Sequence, residues 1–355
     1  MRNWRWWGVI VLLVAGEAAA EPVRIGTTFS ARQCSYLPVN AKDTLKETLK
    51  SPFDLIRLAA YWDELEPRPD AYDFSRLDWQ IAKAAAKQIP IVLTIGMKAP
   101  RWPEYFIPSW VLRRLKLPKG GDVSKQAYLR ERTLRFLDAV VRRYRNEHAI
   151  RYWQVENEPL DRVGPGFWWI GPAFVKQEVE LVRRLDAMRR PIILTTVTYP
   201  NPVLRKFMYL FMRHDTIDES LRLGDILGVN VYPVVGHRWL VKKSYYWTTP
   251  EERQRYLSNI VKRARRARKP VWVTELQAEP WEPNLLVYTD REPPPTGDPA
   301  ILQPTIEELR ALGIEVVFLW GAEYWQFRKS RYKDASWWNE VRRLLRQEHA
   351  VERAR

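Results

Sequence analysis

Cysteine, histidine and glycine are all scarce in this chain, and each scarcity excludes something. The 355 residues include one Cys, four His and 15 Gly. A lone Cys34 cannot close an internal disulfide, so the fold must rest on its core, and Cys34 itself reads as structural. The histidines, at 148, 214, 237 and 349, form no metal-spaced pair, and neither a metal nor any other cofactor is expected. No glycine-rich phosphate loop and no Gly-x-Ser-x-Gly elbow is present. Beyond the N-terminal segment, no apolar run is long enough to span a bilayer, which takes about 20 residues.

The N-terminal segment reads as a secretory signal. Arg2 and Arg5 precede an apolar stretch from Trp6 to Gly16, and Ala18-Ala19-Ala20 offers a small-residue cleavage site before Glu21. The expected location is secreted or periplasmic, with membrane tethering as the alternative if residues 1–20 are not removed. The net charge is +16, with Arg and Lys gathered at 113–119, 262–269 and 328–333. Solvated helix faces account for such clusters, and an electrostatic association with an anionic envelope or glycan is the functional alternative. No nucleic-acid recognition motif accompanies the charge, so no nucleic-acid partner is expected. Oligomeric state is not legible.

What is present is regular. Runs rich in Val, Ile and Leu occur at 23–28, 53–58, 90–96, 150–156, 191–197, 225–231, 270–275 and 314–320. Amphipathic stretches separate them, clearest at 75–87, 125–147, 172–189, 250–268, 299–312 and 335–346, with helix starts at Ser75, Ser124 and Thr249-Pro250. Alternation of this kind implies a parallel α/β fold, and eight units imply a closed (β/α)8 barrel in a single domain over 21–347. A charged tail, 348–355, is expected to fray. The segments after strands three, four, six and seven are long and rich in Trp, Tyr and Pro. In a barrel they form the active-site face.

Two of the strands run into carboxylates. The fourth leads into Glu156-Asn157-Glu158-Pro159, and the seventh, Val271-Trp272-Val273-Thr274, ends on Glu275. By count they stand on opposing sides of the barrel mouth. Two carboxyls facing across a cleft can cleave a glycosidic bond, one protonating the leaving oxygen and the other attacking the anomeric carbon. A gap of about 5–5.5 Å gives retention of configuration. Glu156, two residues before Glu158, is expected to line the site or to pair with a base below it. Glu279 and Glu323 are loop carboxylates that rival the pair less directly. Among the 18 Trp, Trp102, Trp168, Trp169, Trp281 and Trp325 fall in predicted loops. They are candidates to stack on the apolar faces of sugar rings, with ordinary packing as the alternative for each.

These motifs resemble those of the clan A glycoside hydrolases, cellulase-like and β-galactosidase-like barrels with catalytic glutamates on strands four and seven. The resemblance covers nearly all of the chain after residue 20. Asn157-Glu158-Pro159 is similar to the clan's acid/base motif and Thr274-Glu275 to its nucleophile strand, and Trp62 through Phe74 resembles the clan's second βα unit. The resemblance implies that Arg57 holds the nucleophile carboxylate, that Tyr232 hydrogen-bonds it, and that Trp320 floors the sugar site. It implies that Asn157 bonds a sugar hydroxyl. Trp281 and Glu156 join the substrate-binding candidates. The expected activity is that of a retaining O-glycoside hydrolase on β-linked sugars. A transglycosylase using the same residues, a non-catalytic carbohydrate-binding barrel and a charge-held envelope protein are the alternatives.

Overall fold

The computed structural model describes residues 21–198, 206, 215–239, 242–283, 285 and 287–353. The expected leader, 1–20, lies outside them. Ten strands are described: β1 Arg24–Thr28, β2 Leu55–Ala59, β3 Ile91–Ile95, β4 Ile150–Val155, β5 Ile192–Thr196, β6 Ile226–Val231, β7 Val234–Trp239, β8 Lys242–Trp247, β9 Val271–Gln277 and β10 Val316–Trp320. Eight of them close into an all-parallel barrel in the order β1-β10-β9-β6-β5-β4-β3-β2, the ring expected from the eight apolar runs. The remaining two, β7 and β8, form an antiparallel hairpin above β6. This hairpin occupies the long segment after the sixth barrel strand, which periodicity alone marked only as a loop.

Strand alternation sorts the barrel interior into layers. Successive side chains point to opposite faces, so residues two apart share a face. One buried cluster joins Leu55, Val92, Ile193, Ile226, Trp272, Val316 and Phe318, with Tyr152 packed against it. It plugs the barrel; Trp272 meets Tyr152 edge-on with ring centroids 4.8 Å apart. Small residues make room for these rings: a Cβ on Gly26 would lie 2.7 Å from Phe318. Two residues further along the same strands stand Arg57, Thr94, Gln154, Thr195, Thr274 and Trp320, with Asn230 four residues beyond Ile226, all buried. The barrel is therefore apolar at the bottom and polar toward the C-terminal ends of its strands, where the polar layer is held by mutual hydrogen bonds.

The helices run close to their expected spans. Thr249 closes a capping box with Glu252 at the start of Pro250–Arg266, whereas the predicted start at Ser124 belongs to a short 3-10 turn before the helix Ala127–Tyr144. Many clustered cations are engaged in the fold. Lys269 Nζ donates to the carbonyls of Leu221 and Gly224, Arg263 pairs with Asp215 and Asp218, and Arg328 pairs with Asp334.

The expected frayed tail is corrected. The last helix, Ser336–Arg353, continues into it as far as Arg353, and Glu348 is buried. Glu348 Oε2 accepts from the Val23 amide at 2.9 Å and Oε1 from Arg310, and His349 Nε2 lies 3.0 Å from Asp54. Cys34 is buried as expected, in the helix Ala31–Tyr36, and burial pushes its thiol up to about 12.

Candidate active site

The mouth of the barrel is built around Glu275. It is the fifth residue of β9, where the strand carries a bulge: Val273 pairs with Val229 and Val317, but Glu275 pairs with Asn230 and Leu276 with Leu319. The extra residue breaks strict alternation and re-aims the carboxylate, a common use of a bulge beside a site. Arg57 Nη2 donates to Glu275 Oε1 at 2.8 Å and Tyr232 OH donates to Oε2 at 2.6 Å, as expected. Arg57 is itself fixed by Thr28 Oγ1 (3.0 Å) and Gln154 Oε1 (3.3 Å). Glu275 thus carries a buried guanidinium on one oxygen and a phenol on the other.

Glu158 lies three residues beyond β4 with a left-handed φ of 48°. Its amide donates to Thr195 Oγ1 at 2.7 Å. Asn230 Nδ2 donates to its Oε1, and Thr274 Oγ1 donates to Asn230 Oδ1 at 3.0 Å, which fixes the amide with its NH2 toward Glu158. No cation pairs with the Glu158 carboxyl among the described residues. Burial, then the charges of Glu104 and Glu275, push it well above the usual carboxylate range, against a smaller opposing effect of Lys98. The two carboxyls differ in their surroundings: Glu275 accepts from a guanidinium and a phenol, Glu158 from a neutral amide. Asn157 Oδ1 accepts from Gln154 Nε2 at 3.0 Å, which leaves its NH2 to offer a ligand.

Glu156 does not line the cleft, and this corrects the expectation. Alternation would have placed it on the face of Gln154, but β4 ends at Val155 and Glu156 has φ of 61°. The turn swings its carboxylate outward beneath the loop after β3, where it accepts from the amides of Met97 (2.8 Å) and Lys98 (2.5 Å). It is fully buried beside Glu178 of the helix Pro172–Leu185, and burial pushes it up to about 7.

Trp320 ends β10 at the mouth. Arg101 lies over its ring, 3.9 Å from guanidinium carbon to ring centroid, and Arg57 lies at 5.5 Å. Arg101 also bridges Glu279 and Glu323, so these two carboxylates are committed to one guanidinium. Among the loop tryptophans, Trp281 is 47% exposed, edge-on to Tyr232 at 4.7 Å, and Trp102 is 43% exposed. Trp168 and Trp169 are half-buried. Trp325 is withdrawn as a stacking candidate: it is fully buried, donates to the Ala278 carbonyl at 2.6 Å and packs on Trp338.

Three residues of this constellation were not among the candidates from the sequence. Asn230 sits two residues before Tyr232 and was recognisable only through strand alternation. Lys98 and Glu104 belong to the loop after β3 and reach the site only because that loop folds back on itself.

Comparison with known proteins bears on the fold that carries this site. The family model Glyco_hydro_42, beta-galactosidase, matches residues 40–165, a span that contains Arg57, Asn157 and Glu158. A search of curated proteins finds no match. Among solved structures, the cold-adapted beta-galactosidase of Rahnella sp. R3 superposes with a TM-score of 0.64 at 14% identity, over 94% of this chain and 57% of that one. The beta-galactosidase of the psychrophilic Marinomonas ef1 gives 0.58 at 15% identity, over 84% and 54%. The exo-beta-1,4-mannosidase Op5Man5 of Opitutaceae bacterium strain TAV5 gives 0.57 at 15% identity, over 85% and 52%. The chain spans about half the length of these enzymes. Through residues 40–165 it matches the Glyco_hydro_42 family model, and it shares the closed eight-stranded (β/α)8 barrel with these three enzymes.

Proposed function

We propose that this protein is a retaining O-glycoside hydrolase acting on β-linked sugars, with Glu275 as nucleophile and Glu158 as acid/base. The observation that carries the reading is the asymmetry of the two carboxyls. Glu275 is held by Arg57 and Tyr232 on separate oxygens, whereas Glu158 is buried, bonded by a neutral amide and pushed well above the usual carboxylate range by burial and by neighbouring carboxylates.

In the first step Glu275 attacks the anomeric carbon while Glu158 gives its proton to the leaving oxygen, forming a glycosyl ester. Esterification removes the Glu275 charge, so Glu158 becomes a stronger acid and, once deprotonated, can take a proton from the attacking water. Water then releases the sugar with its original configuration. The Asn157 NH2 is free to bond a sugar hydroxyl, and Trp281 and Trp102 offer exposed faces for rings further along the cleft. A transglycosylase would use the same residues and differ in which acceptor reaches the ester. Export is proposed on the strength of Arg2, Arg5, the apolar run and Ala18-Ala19-Ala20, and N-terminal sequencing of the mature protein checks it.

The reading is tested with a panel of aryl β-glycosides and β-glucan and mannan polymers, following product stereochemistry by proton NMR. Wild type is expected to release a sugar of retained configuration, and Glu158→Gln and Glu275→Gln to lose several orders of magnitude in kcat. Inversion of configuration, or undiminished turnover by Glu275→Gln, would refute the assignment. Binding of a glycan without turnover favours the non-catalytic barrel instead.

A further inference from the structure

The barrel strands all run the same way, so the turns that lead into them gather at one end of the molecule, opposite the mouth. This base is cationic. Arg145 precedes β4, Arg189 precedes β5, Arg266 and Arg268 precede β9, and Arg24 and Arg151 stand at the starts of β1 and β4. All of these side chains are exposed, and none of their guanidiniums meets a carboxylate among the described residues. Several carboxylates nearby are occupied by backbone: Asp54 accepts from the Ile25 amide at 2.7 Å, Asp186 from the Arg190 amide at 2.9 Å and Asp225 from the Ile192 amide at 2.9 Å. Glu21, Glu315 and Glu352 are exposed, too few to balance the arginines. Cations at helix C-termini offset helix dipoles, which gives Arg145, Arg266 and Arg268 a second use. Arg24 and Arg151 end no helix. Arg24 closes the bottom of the barrel, its guanidinium carbon 5.8 Å from the Trp272 ring centroid, and so sets a charge at the centre of the base. Exposed aromatic rings are distributed the opposite way. Trp102, Phe167, Trp247 and Trp281 are exposed and all follow barrel strands, at the mouth. The base has none among the described residues; its exposed large apolar side chains are Met188 and Val351.

We propose that the base of the barrel docks on a bilayer of anionic phospholipids, with the mouth facing away from the membrane. Cations spread over a broad face built of turns fit a plane of phosphate headgroups, and each cation near such a surface multiplies partitioning roughly fivefold. An anionic glycan is held by ring stacking as well as by charge, and the exposed rings lie at the other end. The chain also enters the barrel at the base. A chain reaches at most about 3.6 Å per residue, so Gly16, the last residue of the apolar N-terminal stretch, lies within about 30 Å of Arg24. Were residues 1–20 retained, they would tether the base to the same membrane. The proposal concerns the end of the barrel away from the carboxyl pair, so it stands or falls independently of the glycosidase reading.

The test is co-sedimentation of the whole chain with vesicles of phosphatidylcholine alone and of equal parts phosphatidylcholine and phosphatidylglycerol. Wild type is expected to prefer the anionic vesicles and to lose that preference as ionic strength rises. A base variant, Arg145→Gln with Arg189→Gln, Arg266→Gln and Arg268→Gln, is expected to partition into them roughly a hundredfold less or weaker still. A control variant removes the same charge from the segment after β3, where Arg113, Arg114, Lys116 and Lys119 are exposed; with all of these changed to Gln it is expected to bind within about threefold of wild type. Equal losses in the two variants would mean that net charge alone attracts the chain, and would overturn the proposal, as would equal binding to both kinds of vesicle. Hydrogen exchange of the wild-type chain on anionic vesicles locates the contact without any substitution, and decides the matter if the base variant fails to fold by circular dichroism. Protection is expected in the turns before β4, β5 and β9, and protection confined to the segments after β3 and β4 refutes the orientation. Binding to polygalacturonate that exceeds binding to the anionic vesicles and is lost in the base variant would give the face to a glycan and overturn the lipid assignment.

Discussion

Replacing Glu178 with Gln should stabilise this protein in alkaline solution and leave it nearly unchanged in acid. Glu178, in the helix Pro172–Leu185, and Glu156, just past β4, are both fully buried outside the barrel. Glu156 is bonded to the Met97 and Lys98 amides. Neither Glu178 oxygen has a well-formed hydrogen bond. Burial first, then the neighbouring charge of Glu156, push Glu178 well above the carboxylate range, and burial pushes Glu156 up to about 7. Both groups thus titrate higher in the folded chain than in the unfolded one. Between the ordinary Glu value near 4.3 and the folded values, the folded chain keeps protons that the unfolded chain has released. Stability is therefore lost as pH rises through that window.

A value near 7 stands roughly 2.5 units above the ordinary one. At about 1.4 kcal/mol per unit, Glu156 alone holds roughly 3 kcal/mol against folding once the pH exceeds 7. A Gln at 178 keeps the volume, cannot ionise, and can donate to the Glu156 carboxylate. The expected gain is positive at pH 9 and shrinks toward zero near pH 4.5, and it should appear as a rise in Tm confined to the alkaline side. Thermal unfolding of both proteins, followed by circular dichroism from pH 4.5 to 9.5 at constant ionic strength, measures it. A Tm difference that is the same at every pH would refute this account of the buried carboxyls.

Two further outcomes are expected. Gly96→Ala should be destabilising by more than about 2 kcal/mol in chemical denaturation, because Gly96 has φ of 129° and a Cβ there would lie 2.3 Å from the Glu156 carboxylate; a variant as stable as wild type would mean that the strap after β3 can move away. Trp281→Ala should leave Tm within a degree or two and raise KM for a polymeric or oligomeric glycan roughly tenfold, with a smaller effect on a short aryl glycoside, since the ring is half exposed and backs onto Tyr232; equal effects on both substrates would place the ring at the reacting sugar instead.

The barrel was legible because a strand buried on both faces must be apolar almost throughout, and eight such runs leave little freedom in topology. Glu275 was legible for a related reason, and Arg57, Tyr232 and Trp320 through the resemblance to the clan. Each lies on or just after a strand, where position in the sequence translates directly into position around the mouth. Glu156 was misplaced by that same rule. Alternation holds only while the backbone stays extended, and the positive φ values at Glu156 and Glu158 reverse the direction of two side chains within three residues. Lys98, Arg101 and Glu104 were invisible because the loop after β3 has no period, and its internal pairing, not its composition, decides what points inward. The buried end of the last helix was hidden by its charge: Glu348 looked like solvent-facing polarity and is an acceptor for the first strand.

That contact between Glu348 and the Val23 amide joins positions 325 residues apart, and β1 has β10 as one of its two neighbours. The ring therefore has no natural halfway point. Until β10 is in place, β1 and the last strand yet added each present an open edge of unpaired amides and carbonyls, the surface through which chains stick to one another. Folding of this barrel is an event of the whole chain. Losing its final two helical turns would remove the acceptor that holds the amide just before the opening strand.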